Sequence, residues 1–144
     1  LLKTDYVDIY QLHCAPRCFR PKDADGVYDA VLEAKKKGKI RHIGITAHLL
    51  NVAEEAIESG LYETLQFPFA YISSEKEIAL AEKCENAGMG FLGMKGLAGG
   101  LLQSSVTGLF VNIHLCCLCG GYNAKLSLQN FYLFSRKCPR WMIR

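Results

Sequence analysis

The apolar run from Tyr6 to Leu12, broken only by Asp8 and Gln11, would as a strand alternate its side chains and put Val7, Ile9, Gln11 and His13 on one face and Asp8 on the other. Aromatic and β-branched residues dominate this run and Pro16 cannot continue a ladder, so a strand is predicted that delivers His13 at its C-terminal end. The period then changes. Val27, Val31 and Ala34, beside Tyr28 and Leu32, recur at helical spacing to about Lys37, with Asp23 or Asp25 placed to cap the helix and Gly38 to stop it. Ile40 to Thr46 reads as a second strand. Leu49, Val52, Ala53, Ala56 and Ile57 then share one helical face that Gly60 ends. A third strand, Thr64 to Phe67, runs into Pro68, and Ser74-Glu75-Lys76-Glu77 has the spacing of a capping box for a helix to about Ala87. Met89 to Met94 makes a fourth strand, leading into Lys95-Gly96-Leu97-Ala98-Gly99-Gly100.

Strands and helices in strict alternation, joined by short loops, imply an α/β fold with parallel strands and right-handed crossovers. Four such units are half of a (β/α)₈ barrel, and an open doubly wound sheet would give the same pattern. In either case His13, Thr46, Gln66 and Lys95 fall at strand ends on one rim. Polar residues at all four ends point to a ligand site more strongly than any one of them, since His13 by itself is equally well an ordinary polar residue at a strand end.

Charge divides the chain. Up to Ser104 there are 12 basic and 14 acidic residues, a net of −2; the last 40 residues contain no Asp or Glu and carry +5 from Lys125, Arg136, Lys137, Arg140 and Arg144. Globular domains average roughly a quarter charged residues of both signs, so the two parts are different kinds of sequence. Two regions are expected: residues 1–102, a partial barrel, and residues 103–144, a poorly ordered tail of separate origin, out of frame or otherwise non-homologous. A chain that opens at Leu1, without an initiator methionine and almost within a strand, is expected to be a fragment. Seven cysteines, an odd number scattered through βα units, fit reduced thiols and a cytoplasmic location better than a disulfide framework. Lys35-Lys36-Lys37 lacks interleaved aromatic residues, so it reads as a solvated helix end and not as a nucleic-acid patch.

Three blocks taken in order, Asp5-Tyr6-Val7-Asp8-Ile9-Tyr10-Gln11-Leu12-His13, Gly38-Lys39-Ile40-Arg41-His42-Ile43-Gly44-Ile45-Thr46 and Met94-Lys95-Gly96-Leu97-Ala98-Gly99-Gly100, resemble aldo-keto reductases, most nearly the bacterial branch that often has a C-terminal iron–sulfur extension. The resemblance covers about residues 1–102 and corresponds to barrel strands four to seven. It implies an NADPH-dependent oxidoreductase that passes hydride to a small-molecule carbonyl substrate, the alkoxide being protonated by a tyrosine that a lysine and an aspartate tune. His13 matches the histidine that hydrogen-bonds the carbonyl. Gln66 and Thr46 match the nicotinamide amide site, Met94 the residue stacked under the ring, and Lys95 and Leu97 the stretch along the cofactor. Lys95 has two readings, a contact to cofactor phosphate or a solvent-facing strand end. The chain departs from the family in having Ala47 where asparagine is usual, and in lacking the tyrosine, lysine and aspartate, which lie on the first three βα units. Tyr6, Tyr10, Tyr28, Tyr62 and Tyr71 have none of the family's surrounding motif and are read as packing residues. The chain alone is therefore expected to be inactive and to self-associate through open sheet edges; the rival reading is a non-catalytic barrel remnant or binding module.

In the tail, residues 106–119 are apolar but interrupted by Asn112 and His114, and shorter than the ~20 residues that span a bilayer. No membrane role is expected. His114, Cys116, Cys119 and Cys138 lack the paired spacing of a zinc site, and the full ferredoxin-type cysteine run is missing, so no metal is expected.

Overall fold

The computed structural model of the chain describes residues 3–70, 72–98, 101, 123–126 and 131–134. Its elements are β1 (Val7–Leu12), α1 (Val27–Lys36), β2 (Ile40–Thr46), α2 (Leu50–Ser59), β3 (Thr64–Pro68), α3 (Glu75–Asn86), β4 (Gly90–Met94), β5 (Asn123–Leu126) and β6 (Phe131–Phe134). The first four strands form one sheet in the order β1-β2-β3-β4, and β5 and β6 a separate antiparallel pair. Strand order that follows chain order, with a helix between neighbours, is the arrangement of a (β/α)₈ barrel over four of its units. The contacts divide the chain into two compact units, Leu1–Leu65 and Gln66–Arg144.

In the first unit β1 pairs with β2 in parallel, Val7 opposite Ile40 and Leu12 opposite Ile45. Ile43, Ile45 and Leu65 are among its fully buried side chains. Val52, Ala53 and Ala56 give α2 a small-residue buried face, and Gly60 ends that helix at φ 64°, a left-handed conformation that costs glycine nothing. Tyr28 on α1 and Tyr62 before β3 meet edge to face at 5.7 Å, and each phenol donates to a backbone carbonyl, Leu61 O at 2.7 Å and Phe19 O at 2.8 Å. That satisfies the one polar atom of each buried ring. Tyr6 and Tyr10 do not behave as packing residues. They stand 40% and 45% exposed on β1, and the Arg41 guanidinium lies 4.0 Å from the Tyr6 ring centroid. Tyr71 lies outside the described residues.

Two further expectations are narrowed or corrected. Helix α1 starts at Val27 behind Gly26, and of the two candidate caps Asp25 accepts from Val27 N at 3.2 Å, whereas Asp23 is held by Arg17 and by Arg20 N instead. Strand β3 continues to Pro68, so Gln66 is its third residue of five and not its end.

In the second unit Phe67, Leu80, Cys84 and Phe91 are fully buried, and Phe69 meets Phe91 edge to face at 5.5 Å. Helix α3 opens with the expected capping box, the Ser74 hydroxyl accepting from Glu77 N while the Glu77 carboxylate accepts from Ser74 N at 2.7 Å. All five residues of β4 are buried, the near-continuous burial of a strand inside a parallel sheet. Part of the tail forms the β5–β6 pair, which places Asn123 opposite Phe134.

Candidate functional site

The C-terminal ends of β1 and β2 carry a polar cluster. Thr46, the last residue of β2, is 1% exposed, and its hydroxyl donates to Gln11 Oε1 at 2.5 Å. Gln11 comes from the same face of β1 as His13, so a signal for it was present in the alternation pattern. Between the two strands Gly44 leaves no room for a side chain: a Cβ there would collide with Thr64 Oγ1 and come within 3.0 Å of Gln11 Cγ. The glycine thus lets two polar side chains approach the backbone of β2. Among the described residues Thr64 Oγ1 is buried without a hydrogen-bond partner.

His13 follows the end of β1 and is exposed. Beside it Cys14 adopts a left-handed conformation, φ 48°, and the next residue is tied to β2 by Ala15 N donating to Thr46 O at 2.8 Å. Cys14 Sγ lies 3.2 Å from His13 Nε2 and 3.9 Å from His48 Nδ1. Neither Cys14 nor His48 stood out in the sequence, because they are 34 residues apart and only the pairing of β1 with β2 joins them.

The loop behind this cluster is held by charge. Arg17 reaches Asp23 and Asp25, each at 2.5 Å, and lies over the Phe19 ring. Arg20 pairs with Glu55 of α2 at 2.9 Å. The hydrogen bond from Arg17, joined by the Arg20 backbone N–H, holds the Asp23 carboxyl below its ordinary range.

At the opposite ends of the same strands the charges satisfy one another. Glu63 accepts from Lys35 and from Ile43 N, and its second oxygen lies 2.7 Å from His42 Nδ1. Burial by itself would raise the Glu63 pKa, but these hydrogen bonds outweigh it and hold the carboxyl below its ordinary value of 4.5. Lys37 pairs with Glu33 along α1 at 2.5 Å, so two of the three clustered lysines are spent on intrachain carboxylates.

In the second unit a cleft of about 310 Å³ is lined by Pro68, Phe69, Ala70, Ser73, Lys95 and Ala98, among others. Phe69 N donates to Met94 O at 2.8 Å, tying the end of β3 to the end of β4. Lys95 and Ala98 both have positive φ, 58° and 52°, and Ala98 N closes a tight turn on Lys95 O. Non-glycine residues in this conformation are uncommon and gather at ligand sites. Lys95 is exposed and Leu97 is 40% exposed, whereas Met94 is buried at 8% and Gln66 is half-buried. Ligand pockets run about 300–1,000 Å³, so the cleft lies at the lower end of that range, with Lys95 and Glu77 as the charged residues of its lining.

Among the described residues no group of three or more His, Cys, Asp or Glu is arranged to hold a metal, and no helix is long and apolar enough to cross a membrane. The residues first weighed for zinc, His114, Cys116, Cys119 and Cys138, lie outside the described residues.

Comparison with known proteins places these features. Over 132 residues the chain is 30% identical to protein tas of Escherichia coli strain K12, covering 77% of this chain and 37% of that protein. It is 32% identical over 76 residues to the uncharacterized oxidoreductase YqkF of Bacillus subtilis strain 168, covering 53% and 24%. The chain thus spans 37% of the length of the first of these curated relatives and 24% of the second. Among solved structures, the thermostable aldo-keto reductase Tm1743, crystallised with the inhibitor epalrestat, is 26% identical with a TM-score of 0.54, covering 81% of this chain and 42% of that one. The family model for the aldo/keto reductase family matches residues 1–109. With that match and four strands in barrel order joined by three helices, the chain belongs to the aldo/keto reductase family, an oxidoreductase family, and forms part of its (β/α)₈ barrel.

Proposed function

We propose that this chain is the part of an NADPH-dependent carbonyl reductase that orients the substrate carbonyl and holds part of the cofactor, and that by itself it does not turn over. The observation that carries the reading is His13, exposed one residue beyond the end of parallel strand β1, where the family resemblance puts the carbonyl-orienting histidine. An imidazole N–H there donates to the carbonyl oxygen of an aldehyde or ketone and stabilises charge as it develops. A bound nicotinamide cofactor would supply the hydride.

The family resemblance gives the cleft of the second unit to a phosphate-bearing ligand; Lys95, exposed on a turn of positive φ, is the cation of its lining and Glu77 the anion. Leu97 contributes exposed apolar surface on the same turn. Met94 and Gln66 are assigned to the nicotinamide by resemblance, and Thr46 with them. The Thr46 hydroxyl itself is buried and donates to Gln11. What the chain lacks is a tyrosine in the family's setting: Tyr28 and Tyr62 are buried and hydrogen-bonded to backbone, and burial raises the pKa of both phenols, the wrong direction for a proton donor matched to neutral pH.

A cytoplasmic location agrees with Cys14, Cys18 and Cys84 all being free thiols. Tyr6 and Tyr10, exposed on β1, favour self-association along that strand. The test is NADPH titration followed by absorbance loss with a panel of aldehydes and quinones. Measurable binding without turnover is expected, with turnover appearing once the family's first three βα units are joined to the chain. Turnover by this chain alone that disappears in His13→Ala would overturn the inactive reading, and absence of any NADPH binding would favour a non-catalytic remnant.

A further inference from the structure

Three cysteines are described, and their surroundings separate them. Cys84 is fully buried against Met89, and burial pushes its thiol up to about 12; Cys18 is also buried and is raised for the same reason. Thiols raised in this way carry almost no thiolate at neutral pH and are inert. Cys14 is exposed. Its Sγ lies 3.2 Å from His13 Nε2, with His48 Nδ1 on a second approach at 3.9 Å. The backbone of the residue is in a left-handed conformation and is anchored one residue later by the bond from Ala15 N to Thr46 O, which brings the thiol to the side of β2 that leads to His48.

We propose that Cys14 is a covalent modification site for small disulfides, with His13 and His48 as the bases that activate its thiol. With the His13 ring protonated on Nδ1, Nε2 is free to take the thiol proton, and His48 supports the same transfer. The Cys14 sulfur then attacks one sulfur of the disulfide. A new S–S bond forms as the old one breaks, and the electron pair leaves on the second sulfur, which regains the proton from the imidazolium. The products are a mixed disulfide on Cys14 and one free thiol, with no net change in oxidation state. The adduct stands beside His13 and would cover the carbonyl site; that consequence alone rests on the reductase reading, while the exchange itself needs neither cofactor nor carbonyl.

Oxidised glutathione is the probe. The full reduced chain is mixed with it, samples are quenched with acid, and mixed disulfides are assigned by peptide mapping. Cys14 is expected to react about tenfold or more faster than Cys18 and Cys84. In the double variant His13→Asn, His48→Asn its rate should fall roughly 10²-fold, the low end of what a positioned base contributes. Continued protection of Cys84 shows that the variant is folded. If that protection is lost, the single variants His13→Gln and His48→Gln carry the test, each expected to be slower at Cys14 with Cys84 still protected. An unchanged Cys14 rate in a folded histidine variant overturns the proposal, as do equal rates at Cys14, Cys18 and Cys84 of the native chain.

Discussion

The two ends of the β1–β2 pair hold similar residues to different purpose. Near the start of β2, His42 lies against a carboxylate that also takes Lys35 and a backbone N–H, and its side chain is 17% exposed. At the other end His13 is exposed and its described neighbour is a thiol. Histidine at a strand terminus is therefore no signal by itself; what matters is whether the chain already consumes its hydrogen-bonding capacity. Parallel barrels divide labour in the same way, with stability at the N-terminal face and chemistry at the C-terminal face.

The sharpest way to break this contrast is to change each histidine in turn. In a protein with the family's first three βα units restored, His13→Ala should lower carbonyl reduction by about 10²–10⁴-fold. Its melting curve should stay within about 0.5 kcal/mol of the native, because an exposed residue is removed. A His13→Ala protein that loses stability as well as activity would erase the distinction.

Between the two ends, Gly44→Ala drives a methyl into Thr64 and Gln11 and should cost about 1–3 kcal/mol in denaturant unfolding. It should also part Gln11 from Thr46, seen as loss of the slowly exchanging Thr46 hydroxyl proton. A neutral Gly44→Ala would mean that the polar layer has slack.

At the stabilising end, Glu63→Gln should cost about 1–2 kcal/mol, a value already discounted because the carboxylate is about a third exposed. The pH dependence fixes the cause. The folded-state pKa of Glu63 is depressed, so its contribution is fully present above the ordinary carboxylate value of 4.5 and is lost as pH falls below it through the folded value. The native chain should lose stability more steeply than Glu63→Gln on acidification through that window, and parallel curves would rule the network out as the source.

The smallest effect belongs to the same end. Lys37 pairs with Glu33, but both side chains are about 60% exposed, so Lys37→Ala should change stability by less than about 0.5 kcal/mol and by still less at high salt. A loss as large as that from Glu63→Gln would mean that charge count, and not burial, governs this end.

What the sequence determined by itself is the succession of elements. Period-2 and period-3.6 patterns with their stops at Gly38, Gly60 and Gly88 are local, and local sterics and capping decide them; the Ser74–Glu77 box is set within four residues. Parallel order followed from alternation, and the choice of a barrel over an open sheet came through resemblance, the observed strand order and the family match. At the start of α1 the sequence left Asp23 and Asp25 both open as caps, and the fold decides between them: Asp25 accepts from Val27 N while Arg17 and Arg20 N hold Asp23. Partners across strands were likewise out of reach. Gln11 with Thr46, Cys14 with His48 and Glu63 with His42 lie 21 to 35 residues apart, and the sheet register that joins them is fixed by burial of whole faces, which no single stretch of chain encodes.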